Sequence, residues 1–399
     1  MTSTPPVLRK LQARRIWLHA QRLDSDAPFG GGPDATPAAV RHLGYVQIDT
    51  INVIERCHHH ILFTRIPEYR REHLHLAQRA SKTVFEYWTH ALAYVPTDDF
   101  QYFVRDMRSY VDRSPRWFAT VSEADVRSVV ARIRRKGPLS IRDVDEDELV
   151  EKDHPWASRK PTKRVLQYAF YRGLLTISQR SGMVKTYELT TRHFGWKRLP
   201  AGASERKVGE YLLDRALRSQ GVVSLESACY LDAPWKPWVR KAVESRVRRK
   251  EVVEVRVEGD AKTRHWATPE TLESKFDASD TTHILSPFDP LVAQRKRLNL
   301  FFDYEHRFEA YLPKEKRVFG YFACPVVVGD EVVAALDLKA DRGAKKLLIQ
   351  KWTWVGKGKA REHKKKIEKA LEAFEEFQLT PLSPSSEVLQ PRADPHAPA

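Results

Sequence analysis

Gln47 and Asp49 are the side chains whose types and spacing best fit chemistry on a water molecule. They lie in the hexapeptide YVQIDT, residues 45–50, whose apolar positions predict a short buried strand. Alternate residues of a strand point to the same face, so Gln47 and Asp49 share one. The amide can orient a water molecule while the carboxylate accepts its proton or stabilises positive charge. The same spacing also fits an edge strand with two solvated polar residues.

The segments before this strand predict helices that would position it. Residues 8–23 have the spacing of an amphipathic helix, and residues 26–37 are dense in Gly, Pro and Asp, which indicates a turn or mobile segment. Residues 38–43 predict a short helix that enters the strand. This order is compatible with a modified winged helix, although periodicity alone does not identify it.

Two later segments predict winged helix-turn-helix units more clearly. Ser122 caps a helix that runs to Lys136, and residues 160–175 predict a basic helix. A hairpin at 175–190 completes the order of helices and wing. The order recurs with a helix at 205–220, a basic helix at 237–250 and a hairpin at 252–268.

After residue 282 the residue pattern becomes typical of strands. The sequence as a whole therefore predicts an α+β fold, with about three tandem winged helix-turn-helix units and a C-terminal antiparallel β-rich unit. Strands are predicted at 307–312, 317–323, 326–328, 331–337 and 346–353, before a final helix at 360–377. The predicted units are an N-terminal winged-helix-like unit at 1–121 with the Gln47/Asp49 strand, winged helices at 122–200 and 201–275, the β-rich unit at 276–379 and a disordered tail at 380–399.

Charge and composition indicate an intracellular partner that is polyanionic. The 399-residue chain carries 68 Lys and Arg against 52 Asp and Glu, a formal net charge of +16, which favours nucleic acid over an anionic membrane. No apolar run is long enough to span a bilayer, and residues 1–10 lack a secretion signal. Cys57, Cys229 and Cys324 lie too far apart for a disulfide framework or zinc site. We expect a soluble cytoplasmic protein associated with the nucleoid.

Basic residues on the predicted helices are the first candidates for contact with DNA phosphates, which gives affinity without sequence reading. A solvated charged face is the alternative for each helix taken alone. The segment Gly356-Lys357-Gly358-Lys359 lacks the spacing of a nucleotide-binding phosphate loop, and it fits a backbone clamp or a solvated run equally well. The candidates are Lys160, Lys163, Arg164, Arg240, Lys241, Arg246, Arg248, Arg249, Lys357 and Lys359.

The consecutive residues His58, His59 and His60 do not predict a metal site, because adjacent side chains diverge and no partner motif is near. One or two of these imidazoles beside Gln47 and Asp49 could contact a phosphate or the substrate sugar. A packing role is the competing interpretation.

Aromatic side chains form a second cluster at residues 85–90, FEYWTH. Tyr87, Trp88 and His90 fit either a core plug or the wall of a pocket in which a base stacks.

Three separated blocks give the chain a resemblance to a known family. They are residues 43–56 followed by the three histidines, residues 85–91 (FEYWTHA), and residues 285–292 (LSPFDPLV) with Arg295 and Arg297 just after. In this order they resemble the YcaQ/AlkZ-like DNA glycosylases, over about residues 7–379. Members carry Gln-x-Gln or Gln-x-Asp on the catalytic strand, and the second form here is similar to the YcaQ branch.

The resemblance implies winged-helix enzymes that excise alkylated bases and unhook interstrand crosslinks. It implies catalysis by Gln47 and Asp49, a third winged helix around their strand, and DNA contacts from Arg295 and Arg297. We therefore expect a monomeric, monofunctional glycosylase of base excision repair without cofactor or metal, acting on double-stranded DNA that carries N7-alkylguanine, bulky adducts or crosslinks. The lesion pocket is predicted to contain Tyr45, Asn52, His58, His59, Tyr87, Trp88 and His90.

Two other classes remain as alternatives. A non-catalytic DNA-binding regulator built from tandem winged helices explains the charge and the repeats, but leaves the Gln47/Asp49 strand without a task. A nuclease needs clustered carboxylates for metal, and none is found around Asp49.

Overall fold

The helices account for most of the regular structure. The structure is a computed structural model, and it describes residues 5–112, 116–144, 160–356 and 360–380. The helices are α1 Lys10–Ala20, α2 Ala35–Leu43, α3 Cys57–Phe63, α4 Arg71–Arg79, α5 Phe100–Asp112, α6 Glu123–Lys136, α7 Pro161–Tyr171, α8 Thr190–Phe194, α9 Glu205–Gln220, α10 Leu225–Ala228, α11 Lys236–Arg248, α12 Pro269–Glu273, α13 Pro290–Ala293, α14 Arg295–Phe302 and α15 Ala360–Leu379.

The strands form several small sheets, and each sheet is built mostly from strands that are close in sequence. The strands are β1 Val7–Leu8, β2 Val46–Gln47, β3 Val84–Trp88, β4 Leu92–Pro96, β5 Leu139–Ser140, β6 Leu175–Ser181, β7 Val184–Leu189, β8 Val253–Val257, β9 Asp260–Ala267, β10 Thr282–Ile284, β11 Ala323–Val328, β12 Glu331–Asp341 and β13 Lys346–Trp354. Their orders are β2-β4-β3, β5-β7-β6, β1-β8-β9 and β10-β11-β12-β13.

The strand that carries Gln47 belongs to a winged-helix arrangement at 35–96. The elements follow the order α2, β2, α3, α4, β3, β4, and the last strand, β4, lies at the centre of the sheet between β2 and β3. Gly44 ends α2 with φ 81°, a conformation that suits glycine, and its N–H donates to the Val40 carbonyl. The chain then turns directly into β2. The first helix of this unit begins at Ala35, a few residues before the predicted one.

The two winged helices predicted at 122–200 and 201–275 are present, which confirms this part of the fold. Ser122 caps α6, with its Oγ accepting from the Asp125 N–H at 3.1 Å, and β6 and β7 form the wing. In the next unit α9, α10 and α11 precede the hairpin of β8 and β9, and Val223 bridges Trp266 in place of a first strand. The boundaries between units stay a prediction.

The C-terminal unit is a four-stranded antiparallel sheet covered by α15, which confirms the β-rich prediction. The strand predicted at 307–312 is absent, and of the strand predicted at 317–323 only Ala323 belongs to a strand, as the first residue of β11. The Glu309 carboxylate accepts the N–H groups of Val318, Phe319 and Gly320 at 2.7–3.2 Å, so a side chain, rather than a neighbouring strand, satisfies this backbone. The predicted disordered tail lies outside the described residues, apart from Thr380.

A fully buried ion pair connects distant parts of the chain. Arg65, just after α3, binds both carboxylate oxygens of Asp289 at 2.7 and 3.0 Å, and neither side chain is exposed. Arg65 also donates to the backbone carbonyl and the side-chain oxygen of Gln21 and to the Ile61 carbonyl. Asp289 in turn caps α13. The pair therefore joins the end of α1, the first winged helix and the start of α13.

We expect Asp289→Ala to lower the free energy of unfolding by about 3–5 kcal/mol, because it leaves the Arg65 guanidinium buried without its counterion. Urea unfolding of the full chain measures this loss. Asp98→Ala is the matched control: it breaks the exposed Arg41–Asp98 pair and should cost at most about 1 kcal/mol. Equal losses for the two variants would contradict the central role of the buried pair.

Candidate active site

Gln47 lies at the end of β2, on the sheet face that it shares with Tyr87. Gln47 is paired with Ala93 of β4, and Ala93 is paired with Tyr87 of β3, so the three side chains lie side by side. Gln47 is 7% exposed. Its backbone carbonyl accepts the Cys57 thiol at 3.0 Å, which ties the strand to the start of α3. The strand is therefore held from both sides although it is only two residues long.

Asp49 follows β2 in a turn and is partly exposed. The ladder continues through Ile48, whose N–H donates to the Leu92 carbonyl, and Val46 and Ile48 enter the same apolar core. Continued alternation would place the Asp49 side chain on the same side as that of Gln47; this stays a prediction, because Asp49 lies beyond the last residue of β2. Asp49 Oδ1 accepts the Ile51 N–H at 2.8 Å, and Oδ2 has no hydrogen bond within the described residues.

His90 fixes the orientation of the Gln47 amide. The two side chains meet at 3.1 Å between His90 Nε2 and Gln47 Oε1. Because an amide oxygen only accepts, His90 is the donor, and the Gln47 amide nitrogen has no other partner in the part of the chain that the structure describes. Burial, with Arg215 nearby, lowers the pKa of His90 to about 4, so the imidazole is neutral at pH 7. Gln47 thus presents a donor rather than an acceptor.

A cavity of about 370 Å³ opens beside His90. Its walls come from the first winged helix, from α5 and α9, and from the loop after α10. The predicted pocket residues Tyr45, Tyr87, Trp88 and His90 line it, whereas Gln47 and Asp49 do not. The His90 ring lies edge-on to Tyr45 and Tyr230 at centroid distances of 5.0 and 5.3 Å. His90 therefore connects the cavity with Gln47.

Several cavity residues were missed from the sequence. Asp106 of α5 and Asp232 face the cavity together with Tyr110, and Arg215 of α9 lies over the rings of Tyr45 and Tyr211. Burial and the Asp232 carboxylate raise the pKa of Asp106 to about 6. A signal was available: residues 102, 106, 109 and 110 form a polar and aromatic stripe at helical spacing along α5.

The placement of His58 and His59 in the pocket is wrong. Both belong to α3, are 3% and 6% exposed, and do not line the cavity. His59 contacts the Tyr69 hydroxyl at 2.7 Å, and burial keeps the pKa of both imidazoles well below the usual value. The His58 ring packs against Tyr94 of β4 at a centroid distance of 5.7 Å, while His60 contacts the Ile284 carbonyl and stacks on Phe374 of the C-terminal unit.

Asn52 is also absent from the cavity wall. Its side-chain oxygen accepts a hydrogen bond from Arg342, in the turn between β12 and β13, so Asn52 connects the first winged helix with the C-terminal unit. Within the described residues, no cluster of His, Cys, Asp or Glu has the geometry of a metal site. No described helix combines the length and apolar character needed to cross a bilayer.

Comparison with known proteins assigns the family. Residues 40–377 match the family model described as DNA glycosylase AlkZ-like, which is most of the chain. The chain belongs to the AlkZ-like DNA glycosylase family. It is similar in structure to Streptomyces sahachiroi DNA glycosylase AlkZ, with 16% identity, a TM-score of 0.60, and coverage of 94% of this chain and 98% of that one. At this identity the likeness shows the fold. The Gln-x-Asp branch and crosslink unhooking stay predictions.

Exposed basic residues of this AlkZ-like protein cluster on its third winged helix. Arg240 and Arg248 of α11 line a groove against the β8–β9 hairpin, with Lys262 and Arg264 on the hairpin side. Arg249 is exposed as well, but its guanidinium binds Glu251 at 2.6 and 3.0 Å. The other exposed candidates are Lys163, Lys241 and Arg295, and Lys160 is partly buried.

Three predicted DNA contacts are corrected by burial or pairing. Arg297 is 7% exposed, donates to the carbonyls of Gln220 and Val222, and lies over the Trp17 ring, so it cannot reach a phosphate. Arg164 is 5% exposed and contacts Thr120. Arg246 is mostly buried in an ion pair with Asp214. Lys357 and Lys359 lie outside the described residues.

We expect the double substitution Arg240→Gln and Arg248→Gln to weaken binding to undamaged duplexes equally for all sequences. The slope of log affinity against log salt should fall by up to about 2, since each phosphate contact contributes roughly 0.9. Arg249→Gln is the control, because Glu251 already neutralises that side chain, and its slope should change by less than about 0.5. An unchanged slope in the double variant would exclude α11 from the DNA interface.

Proposed function

We propose that this member of the AlkZ-like family is a monofunctional DNA glycosylase. It hydrolyses the N-glycosidic bond of alkylated purines, namely N7-alkylguanine, bulky adducts and interstrand crosslinks, and leaves abasic sites. The observation that carries the proposal is the contact of His90 with the Gln47 amide, two residues before the partly exposed Asp49 carboxylate.

Gln47 and Asp49 act on the attacking water in different ways. With its oxygen engaged by His90, the Gln47 amide nitrogen donates to the oxygen of the attacking water. Asp49 accepts the proton and places negative charge beside the sugar, where an oxocarbenium-like transition state develops, as in glycoside hydrolysis. This division supports Asp49 as the residue with the larger kinetic role.

The proposed substrates follow from what these residues lack. Alkylation at N7 makes guanine a cationic leaving group that needs little protonation, so a site without a general acid can release it. A water nucleophile leaves the abasic strand intact, because no lysine forms a covalent intermediate. The extension to bulky and crosslinked adducts rests on the resemblance of the Gln-x-Asp motif to the YcaQ branch, not on the chemistry of these residues.

We expect Asp49→Asn to lower the single-turnover rate of N7-methylguanine release by about 100- to 10,000-fold, because it removes the base and the negative charge but keeps the shape. The assay uses duplex DNA with EDTA present, followed by alkali to cut abasic sites. Gln47→Ala should lose less, since it misplaces water and keeps the charge. DNA affinity should stay within about threefold for both variants.

Each outcome of that assay separates the candidate functions. Abasic sites that form with EDTA present and depend on Asp49 support the glycosylase. Direct strand cuts that disappear with EDTA indicate a nuclease. Binding to DNA without base release or strand cleavage would indicate the non-catalytic winged-helix regulator. An Asp49→Asn rate within about threefold of wild type would remove Asp49 from the reaction.

We expect His90→Phe to slow release roughly five- to tenfold, because losing one neutral hydrogen bond of about 1 kcal/mol frees the Gln47 amide to rotate. His90→Gln keeps a donor at this position and should recover most of the rate. Both variants are compared by single-turnover rate and by DNA affinity. Equal rates for Phe and Gln at position 90 would show that the hydrogen bond does not position Gln47.

A further inference from the structure

We propose that the cavity beside His90 binds the cationic purine base itself, and that Asp106, Asp232 and Gln220 recognise its charge and its donor groups. The proposal rests on the proposed function and adds a binding site and a basis for selectivity, formed mainly by residues outside the winged helix that carries Gln47. These residues favour an N7-alkylated guanine as the bound base.

The size and walls of the cavity suit a flat aromatic ring. Its volume of about 370 Å³ lies near the lower end of ligand pockets, which span roughly 300–1,000 Å³. Aromatic side chains enclose it on several sides, and such faces stack on bases and attract cations. They include Tyr45, Tyr87, Trp88, Tyr110, Tyr211 and Tyr230.

The charge of the cavity favours a cation. Neither Asp106 nor Asp232 forms a salt bridge within the described residues, and burial raises the pKa of both carboxyls. With the pKa of Asp106 at about 6, its carboxylate is mostly ionised at pH 7. Arg215 supplies one positive charge, but its guanidinium lies over the rings of Tyr45 and Tyr211 at 5.7 Å from each centroid. The wall therefore holds two carboxyl groups and one guanidinium, and Arg215 forms no salt bridge with either carboxyl within the described residues.

A buried acceptor in the same wall also lacks a partner. Gln220 is 7% exposed; its amide nitrogen donates to the Ser227 carbonyl at 3.2 Å, and its Oε1 has no partner among the described residues. A buried oxygen in this state is costly unless a ligand or water donates to it. Gln220 and the two aspartates all belong to the lining of the cavity. Guanine offers matching donors at N1 and at its amino group, and N7 alkylation adds the charge.

The cavity also has a route to the proposed catalytic residues. His90 touches Tyr45 and Tyr230 of the wall through its ring and Gln47 through Nε2. Tyr87 lines the cavity and lies two strands from Gln47 on one sheet face. A base held in the cavity is thus next to the residue that orients the water.

Binding of free nucleosides tests this inference without catalysis. The full-length protein is titrated at neutral pH with 7-methylguanosine, whose imidazole ring carries a fixed positive charge, and with guanosine, and binding is followed by calorimetry. We expect 7-methylguanosine to bind about tenfold more tightly, equivalent to about 1.4 kcal/mol. Equal affinities in the wild-type protein would overturn the proposal, whatever the variants do.

Matched variants identify the residues responsible. The double substitution Asp106→Asn and Asp232→Asn should reduce the preference to less than about threefold, whereas Asp112→Asn, an exposed carboxylate on the same helix, should keep it. Gln220→Leu should weaken both nucleosides alike, since it removes an acceptor and not a charge. A preference that survives in the double variant, with its thermal unfolding unchanged, would place the cation elsewhere.

Failure here is distinct from failure of the proposed function. Asp49→Asn should bind 7-methylguanosine as the wild type does and yet release base from DNA about 100- to 10,000-fold more slowly. Base release by a wild-type protein that does not prefer the cation would overturn the cavity and leave the glycosylase intact. A cation preference without base release from any alkylated duplex would keep the cavity and contradict the glycosylase.

Discussion

The Arg65 guanidinium is the constraint on which the rest of the structure depends. Arginine has five N–H donors, and here all five are used, by Gln21 twice, by Ile61 once and by Asp289 twice. A fully buried charge is stable only when all of its hydrogen-bond partners are in place. The three segments that meet here are far apart in sequence, and this requirement allows them only one arrangement. Gln21 and Pro290 also line the cavity beside His90, so the ion pair fixes one wall of that cavity.

Precision at Gln47 comes from neighbours rather than from the strand that carries it. Two residues of β2 make too few hydrogen bonds to hold a side chain in place. The Cys57 thiol anchors the backbone, the pairing with Ala93 sets the face, and His90 sets the amide. Such support from surrounding groups is what allows a short loop-like segment to hold a reactive geometry.

The sequence predicts best where local signals decide the structure. Ser122 ends one segment and starts a helix by its own hydrogen bonds, so that helix was predictable, and the family blocks gave the first winged helix. Arg297 was predicted to contact DNA from the family resemblance, and only tertiary packing shows that its guanidinium donates to the carbonyls of Gln220 and Val222. The sequence left both a pocket role and a packing role open for His58, and only the folded chain shows that its ring is buried against Tyr94. Asp106 and Asp232 were missed for a similar reason: they come from separate elements and acquire a shared environment only in the folded chain.

The parallel pairing of β1 with β8 bears on how the protein is made. Val7 pairs with Arg256, and α1 packs against α9 and α14, so the N-terminal segment completes its contacts only with residues far downstream. At about 5–20 residues per second of synthesis, this segment waits roughly 12–60 seconds for its partners. During that interval the apolar face of α1, with Trp17, is uncovered on the ribosome. During this interval binding of a chaperone to the uncovered face of α1 competes with folding, and the competition ends when α14 emerges and covers that face.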